Sequence, residues 1–319
     1  MVKKVVLLLS IVALFVGSLL AVGCVPGIVA IDLVPQEANL VARIQIGRIL
    51  ADPDLIAAYD EATKEPDMPQ TFEQALDRVE DEIGIDPRDF SEAVIFADIE
   101  SEDYFGAIIS GTFDREALME SIEQAIGEEM TATEYRGYTI HTIAIEGEEW
   151  AIFFLSDGSF VFGSLDAVRD VIDVKEGEPG LSGAVAEAYT SLGDVWVKVA
   201  AEVPEEAIGE LTEDATEIPM ASQFLEDIEV VGFSFDKIGE NLSLVLKMRF
   251  SSLGSPLAAV VGITTLKALM TNDPDAPPQI ADIIDGLSTT TSGHWLIISL
   301  ETTLAEVQNL LEAMEQGEL

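Results

Sequence analysis

The sequence predicts an α+β fold: antiparallel sheets with helices packed on them, arranged as two loosely similar sub-domains. Three observations carry this expectation. Short runs in which apolar and polar residues alternate come in adjacent pairs, the pattern of hairpins. Between the pairs lie segments with apolar residues every three or four positions and capping residues in front, the pattern of helices. Midway, Lys175 to Gly183 (KEGEPGLSG) concentrates glycine, proline and charge, and beyond it the same order of elements recurs without a residue-level repeat. A hydrophobic content of 48% and a mean hydropathy of +0.30 supply enough apolar surface for a packed core.

Taken in order, ANLVARIQIGRIL (38–50) reads as a strand with Val41, Ile44 and Ile46 as core candidates. In DPDLIAAYDEA (52–62) Asp52 caps a helix and Pro53 occupies its first position, where a missing N–H costs nothing. TFEQALDRVEDEIGI (71–85) is a second helix, with Thr71 as N-cap, Glu73 and Gln74 in the first turn, and Gly84 as its stop. Its residues Phe72, Ala75, Leu76, Val79 and Ile83 share one face. EAVIFADIE (92–100) and YFGAIISGTF (104–113) read as paired strands, followed by the helix DREALMESIEQAIGEE (114–129), capped by Asp114. EYRGYTIHTIAI, EWAIFFLSD and SFVFGS are three further strands, the last two joined by the turn SDGS, and SLDAVRDVIDV closes the first half as a helix.

The second half opens with a helix, GAVAEAYTSL, and an alternating strand, DVWVKVAAEV, followed by EEAIGELTEDA as helix or loop. IEVVGFSFDKIGENLSLVLKMRF (228–250) is a long hairpin. SPLAAVVGITTLKALM (255–270) is a helix apolar on nearly every side, begun by Ser255 and Pro256. NDPDAPP breaks the chain before the strand GHWLIISL and the helix TTLAEVQNLLEAMEQ.

The N-terminus speaks to location. Lys3 and Lys4 precede an uncharged stretch from Val5 to Ile31, and the single cysteine of the chain, Cys24, follows small residues at Ala21 and Gly23. A basic start, an apolar core and small residues before a cut site make a secretory signal. Ala21-Val22-Gly23-Cys24 resembles the lipobox of bacterial lipoproteins, with Ala21 standing where that family most often has leucine. The resemblance implies signal-peptidase recognition through Ala21, Val22 and Gly23, and cleavage before Cys24. It also implies a lipid on the Cys24 sulfur, which places the body on the extracytoplasmic side of the cell envelope. The corresponding organisation is 1–23 signal peptide, 24–30 lipidated tether, 31–178 first sub-domain and 179–319 second. The alternative is an uncleaved transmembrane helix, since 27 uncharged residues exceed the roughly 20 needed to span a bilayer. Gly23, Pro26 and Gly27 interrupt that run. The order of elements in the body resembles secreted bacterial lipoproteins that carry no assigned activity, a likeness of pattern without a shared motif.

Charge sets the partners. With 59 acids against 16 bases the chain carries −43, which repels phosphate backbones and anionic head groups, so nucleic acid is excluded as a partner. The acids are spread along the chain, a distribution that suits salty surroundings and allows weak cation association.

Motifs for catalysis fail one by one. The two histidines, His141 and His294, lie outside any metal-binding spacing and read as strand or turn residues. GLSGA (180–184) lacks the last glycine of a nucleophile elbow, and Ser234 and Lys237 in SFDK fall in a strand instead of one helical turn apart. Paired carboxylates occur on every polar stretch, so none stands out as a general acid. DPD (52–54) and NDPD (272–275) read as caps and proline turns, not as calcium loops. No phosphate-cradling glycine loop is present, and the sequon at Asn241 falls within a strand. Trp150, Trp196, Trp295, Tyr104, Tyr135 and Tyr138 could line a ligand surface, although strand aromatics more often pack a core or edge.

The expectation is therefore a membrane-anchored, non-catalytic binding or interaction module whose partner, a protein or an apolar ligand, the sequence does not name, with no cofactor, no metal and no catalytic residue. The alternative is a carrier of an apolar ligand or lipid between sheet and helices, with 256–269 as lid or wall. A carboxylate- or metal-dependent hydrolase has the least support.

Overall fold

A computed structural model describes residues 30–61, 68–101, 103–145, 147–214, 225–271, 283–284, 286–307 and 309. Ala21 to Cys24 and NDPD lie outside the described residues. The chain divides into two compact units: unit 1 holds residues 30–38 and 43–181, and unit 2 holds Asn39–Ala42 and the chain from Ser182 on. Both mix helices with antiparallel strands. The strand β1 (Leu40–Ile44) straddles the division.

Unit 1 contains α1 (Ile46–Leu50), α2 (Pro53–Glu61), α3 (Phe72–Ile83), β2 (Phe90–Ala97), β3 (Phe105–Gly111), α4 (Arg115–Ile126), β4 (Thr131–Tyr135), β5 (Tyr138–Ile145), β6 (Glu148–Ser156), β7 (Ser159–Ser164) and α5 (Leu165–Lys175). The helices start where capping chemistry dictates. Thr71 and Gln74 exchange the reciprocal bonds of a capping box, and Gly84, at φ 70°, closes α3 in the left-handed conformation that glycine adopts without strain. Asp114 accepts from the Ala117 amide at the head of α4, and Asp52 from the Asp54 and Leu55 amides at the head of α2. Arg88, in the short turn before β2, binds Glu73 and Asp77 of α3 and Asp86, each at 2.7 Å, clamping helix to turn.

The strands of unit 1 run in the order β2-β3-β7-β6-β5-β4. One face is packed by α5, whose Ala167, Val168, Val171 and Ile172 are fully buried. Beneath it Val94, Ile108, Val161, Phe153 and Ile140 form a buried row across the strands. Gly106 and Gly163 pair directly on this face, and a Cβ at Gly106 would stand 2.2 Å from the Phe96 ring, so only glycine lets that ring lie flat on the sheet. Three tyrosines at its rim donate to the α5 side. Tyr104 reaches Asp170 at 2.9 Å, Tyr135 reaches Asp173 at 3.0 Å, and Tyr138 reaches Glu176 at 2.6 Å.

Unit 2 contains α6 (Gly183–Ser191), β8 (Val197–Glu202), α7 (Glu205–Asp214), β9 (Ile228–Ile238), β10 (Asn241–Phe250), α8 (Ser255–Thr271), β11 (Leu287–Ser292) and β12 (Trp295–Thr303). Residues 304–307 begin a further helix, where Thr303 and Glu306 exchange capping bonds. Strand order is β8-β9-β10-β12-β11.

Three segments differ from the sequence expectation. Ile46 lies in α1, not in the preceding strand, though Val41, Ile44 and Ile46 are all buried as their apolar character requires. EYRGYTIHTIAI is a hairpin, not one strand: Arg136 (φ 48°) and Gly137 (φ 83°) form a two-residue turn with both central φ positive. Finally β11, LSTTTS, has no apolar alternation to announce it and forms by pairing with β12 at the sheet edge.

Candidate functional site

The two faces of the unit 2 sheet follow from its register. On one face, residues aligned across the five strands form three rows. Val197, Phe235, Leu244, Leu300 and Leu287 make the first; Val199, Phe233, Leu246, Ile298 and Thr289 the second; Ala201, Val231, Met248, Leu296 and Thr291 the third. Every member is apolar except the two threonines of the edge strand. With strands about 4.8 Å apart and same-face residues about 6.8 Å apart, the rows cover on the order of 20 by 14 Å.

The opposite face carries Lys198, Ser234 and Val245, then Ala200, Gly232 and Lys247, then Glu202, Val230 and Arg249. This face, which mixes polar and apolar residues and continues on β12 with Ser299, Ile297 and Trp295, is the one that α6 covers. Gly232 lies under Ala188 and Leu192, Lys198 donates to the Tyr189 and Gly193 carbonyls at 3.3 and 2.8 Å, and Lys247 donates to the Ser191 carbonyl at 2.8 Å. The lysines thus hold carbonyls at the C-terminal end of α6, where the helix dipole favours cations. Burial holds the Lys247 ammonium below its ordinary pKa. Trp295 Nε1 donates to Glu187 from the same side.

The apolar face is only partly covered. Of its fifteen residues, Ala201 and Leu296 are buried, and Phe233 is 38% exposed. Val197, Val199, Phe235, Leu244, Leu246 and Met248 are half-buried. α8 packs over the β11–β12 end through Ala259, Val260 and Ile263, which join Ile228, Phe250 and Leu296 in one cluster. Asp227 fixes the start of this helix by accepting from the Ser251 and Ser255 hydroxyls, and Lys267 donates to the Leu287 carbonyl at 2.7 Å. The site therefore offers a broad, mostly apolar area with no histidine, cysteine, lysine or carboxylate on the rows. What it can do is bind: each Å² of apolar surface removed from water there contributes about 25 cal/mol.

The acid distribution agrees. Between Glu240 and Asp273 the chain has no acidic residue, 32 positions that include β10 and α8, although 59 of the 319 residues are acidic. That span holds Leu244, Leu246 and Met248, the β10 members of the rows, so the spacing of the acids points to one strand of the site.

The residues weighed for chemistry take structural places. His141 lies on β5 with its ring 6.4 Å from that of Phe154, and His294 bonds the Phe250 carbonyl through Nδ1 at 2.8 Å, each in a different unit. Ser234 and Lys237, three residues apart in β9, point to opposite faces. Trp150 stacks on Phe162 at 5.3 Å, and Trp196 meets Phe235 edge-on at 6.0 Å. In unit 1, burial raises the Asp170 carboxyl above the usual range, and burial beside Asp170 raises the Tyr104 phenol. Both serve the tyrosine–carboxylate contacts with α5. Among the described residues no three histidine, cysteine or carboxylate groups converge to hold a metal ion, and no helix is long and apolar enough to cross a membrane.

No family model matches the chain, and no curated protein matches it. Three solved structures of a protein named TP0453 are similar in overall outline. Crystal form III has 10% identity and a TM-score of 0.48, covering 89% of this chain and 97% of that one. Forms I and IV have 9% and 11% identity, TM-scores of 0.46, and cover 90% and 88% of this chain and 98% and 95% of theirs.

Proposed function

We propose that this chain is a lipid-anchored protein on the extracytoplasmic side of the cell envelope that binds, without catalysis, through the apolar face of unit 2. One observation carries the reading: three aligned rows of mostly apolar side chains are only partly covered, with Phe233 exposed, while a helix packs on the opposite face of the same strands. Leaving such a surface uncovered forgoes stabilisation that burial would supply, and contiguous exposed apolar patches mark binding sites. The anchor rests on the lipobox-like Ala21 to Cys24 and the basic, then uncharged, N-terminus.

The occupant this face fits best is an apolar surface of a protein partner, since the rows run across five strands. An acyl chain or similar ligand is the second reading, favoured by α8 standing as a wall along the β11–β12 end. The dispersed acidity supports loose cation association and solubility, not a discrete ion site.

Native mass spectrometry of the protein extracted from its own envelope tests both readings. The wild-type chain is expected to carry a bound species, protein or lipid, that Leu246→Asp loses while keeping wild-type circular dichroism. Equal, empty spectra from both proteins would remove the apolar face as a binding site.

A further inference from the structure

We propose that two copies of this chain pair edge to edge through β11, antiparallel and about a two-fold axis at Thr290; the pairing goes beyond the binding reading above and stands without it. β11 is the last strand of its sheet, and among the described residues no strand pairs with its outer side. The bonding pattern shows which groups are left over. In an antiparallel pair, alternate residues exchange both backbone bonds with the neighbouring strand, and the residues between them point away. Glu301 donates to the Gly286 carbonyl. In that phase Ser288, Thr290 and Ser292 bond β12, while Leu287, Thr289 and Thr291 turn their N–H and C=O groups outward. Lys267 takes the Leu287 carbonyl. Thr289 and Thr291 offer theirs to a further strand.

Native edges are blunted against such pairing by charge, proline or a bulge. This one has none of them. LSTTTS pairs with β12 in unbroken register, and between Asp285 and Glu301 the chain carries no acid, lysine or arginine. Threonine favours strands, and a short uncharged run rich in it is the kind that recruits another strand. By contrast β4, the last strand of the unit 1 order, carries Glu134.

The sequence of the edge selects its occupant. Residues 288–292 are Ser-Thr-Thr-Thr-Ser, the same read from either end. Laid antiparallel on itself about Thr290, the segment sets Thr289 of each copy opposite Thr291 of the other. The outward backbone groups of both then meet in reciprocal hydrogen bonds, the self-matching contact of a two-fold dimer. Thr290 meets Thr290 at the axis and Ser288 meets Ser292, all exposed hydroxyl side chains that pair across strands without charge. The axis stands perpendicular to the sheet, so both copies present their apolar rows on one side. The second row of one copy runs on into the third row of the other. A charge of −43 on each copy opposes the approach, so association strengthens as salt screens it.

The test uses the full chain in detergent with Cys24→Ser, so that an introduced cysteine is the only thiol. Residues facing each other at a non-bonded pair have Cα atoms about 4.5 Å apart, within disulfide reach. Thr290→Cys is therefore expected to cross-link to itself under copper–phenanthroline oxidation. Ser288→Cys and Ser292→Cys, each about 14 Å from its own counterpart, should cross-link only when the two are mixed. Sedimentation equilibrium of the wild-type chain should show a dimer that grows with salt. Thr290→Lys should weaken it on the order of tenfold or more, with circular dichroism unchanged, and mixing Thr290→Lys with Thr290→Glu should restore it. A wild-type chain that stays monomeric at molar salt overturns the proposal, as does a dimer that Thr290→Lys leaves intact. Equal cross-linking of 288, 290 and 292 each with itself overturns the axis and the register. None of these readouts depends on whether the apolar rows hold an occupant.

Discussion

Both units set helices on antiparallel strands, and each covers those strands differently. In unit 1 the row Val94, Ile108, Val161, Phe153 and Ile140 lies sealed beneath α5, with tyrosine–carboxylate bonds at the rim. In unit 2 the helix that follows the boundary, α6, settles on the mixed face, drawn there by Gly232 and by two lysines reaching its last carbonyls. The apolar rows are left to partial cover by α8. The contrast teaches how differently one kind of apolar row can be used: unit 1 buries its row in folding, and unit 2 leaves much of its own partly open, which is the ground of the proposed binding face.

The sharpest way to break this contrast is a matched pair of truncations. Ile108→Ala in the sealed row should cost about 2–5 kcal/mol, and Leu246→Ala in the open row about 1 kcal/mol or less, because a half-buried side chain leaves little cavity. Urea denaturation measures both, and equal losses would mean the open face is packed after all. Next in size is Arg88→Ala, which strands Glu73, Asp77, Glu80 and Asp86 without their shared cation. A loss of about 2 kcal/mol is expected, much of it restored by molar salt, which screens the carboxylates. In unit 2, Lys198→Met removes the donor to the Tyr189 and Gly193 carbonyls. About 1–2 kcal/mol should disappear, with α6 amides exchanging faster with deuterium while those of α5 hold.

The smallest effect concerns pH. The Asp170 carboxyl is raised in the folded protein by burial first, and by Glu37, Asp173 and Asp166 besides. A raised folded pKa means the native state binds more protons than the unfolded state between the two values, so stability from this group falls as pH rises across that window. Asp170→Asn keeps an oxygen for the Tyr104 hydroxyl and loses the charge. Thermal melts should show it slightly more stable than wild type at pH 7, by less than about 1 kcal/mol given its partial exposure, and level with wild type near pH 3.5. A variant less stable at pH 7 would mean the ionised carboxylate earns its place.

Much of this architecture was legible in the residues. Thr71, Gly84, Asp114 and Asp52 announced their helix ends because capping is a local exchange of bonds. The alternating runs announced most strands, because a two-residue period needs no tertiary context. β11 was hidden because its serines and threonines acquire strand form only from β12, and α1 because five residues are too few for a helical period. The Arg136–Gly137 turn was missed since arginine seldom adopts a positive φ. The partly open apolar face was hidden for a different reason: which side of a sheet a helix covers depends on long-range packing. Val197 to Leu287 alternate as any buried face would, and nothing local shows that α6 chose the other side. The chain's acid-free span from Asn241 to Asn272 was the readable clue to the β10 strand of that face.

The central claim is that the rows of unit 2 meet an apolar occupant in the envelope. A photo-crosslinking phenylalanine analogue at Phe233, irradiated in cells of the native host, tests it directly, with the same analogue at the more exposed Ile238 as reference. The account predicts a discrete protein or lipid adduct at 233, absent at 238 and absent when Leu246→Asp is added. Identical, adduct-free mass spectra at 233 and 238 would contradict it.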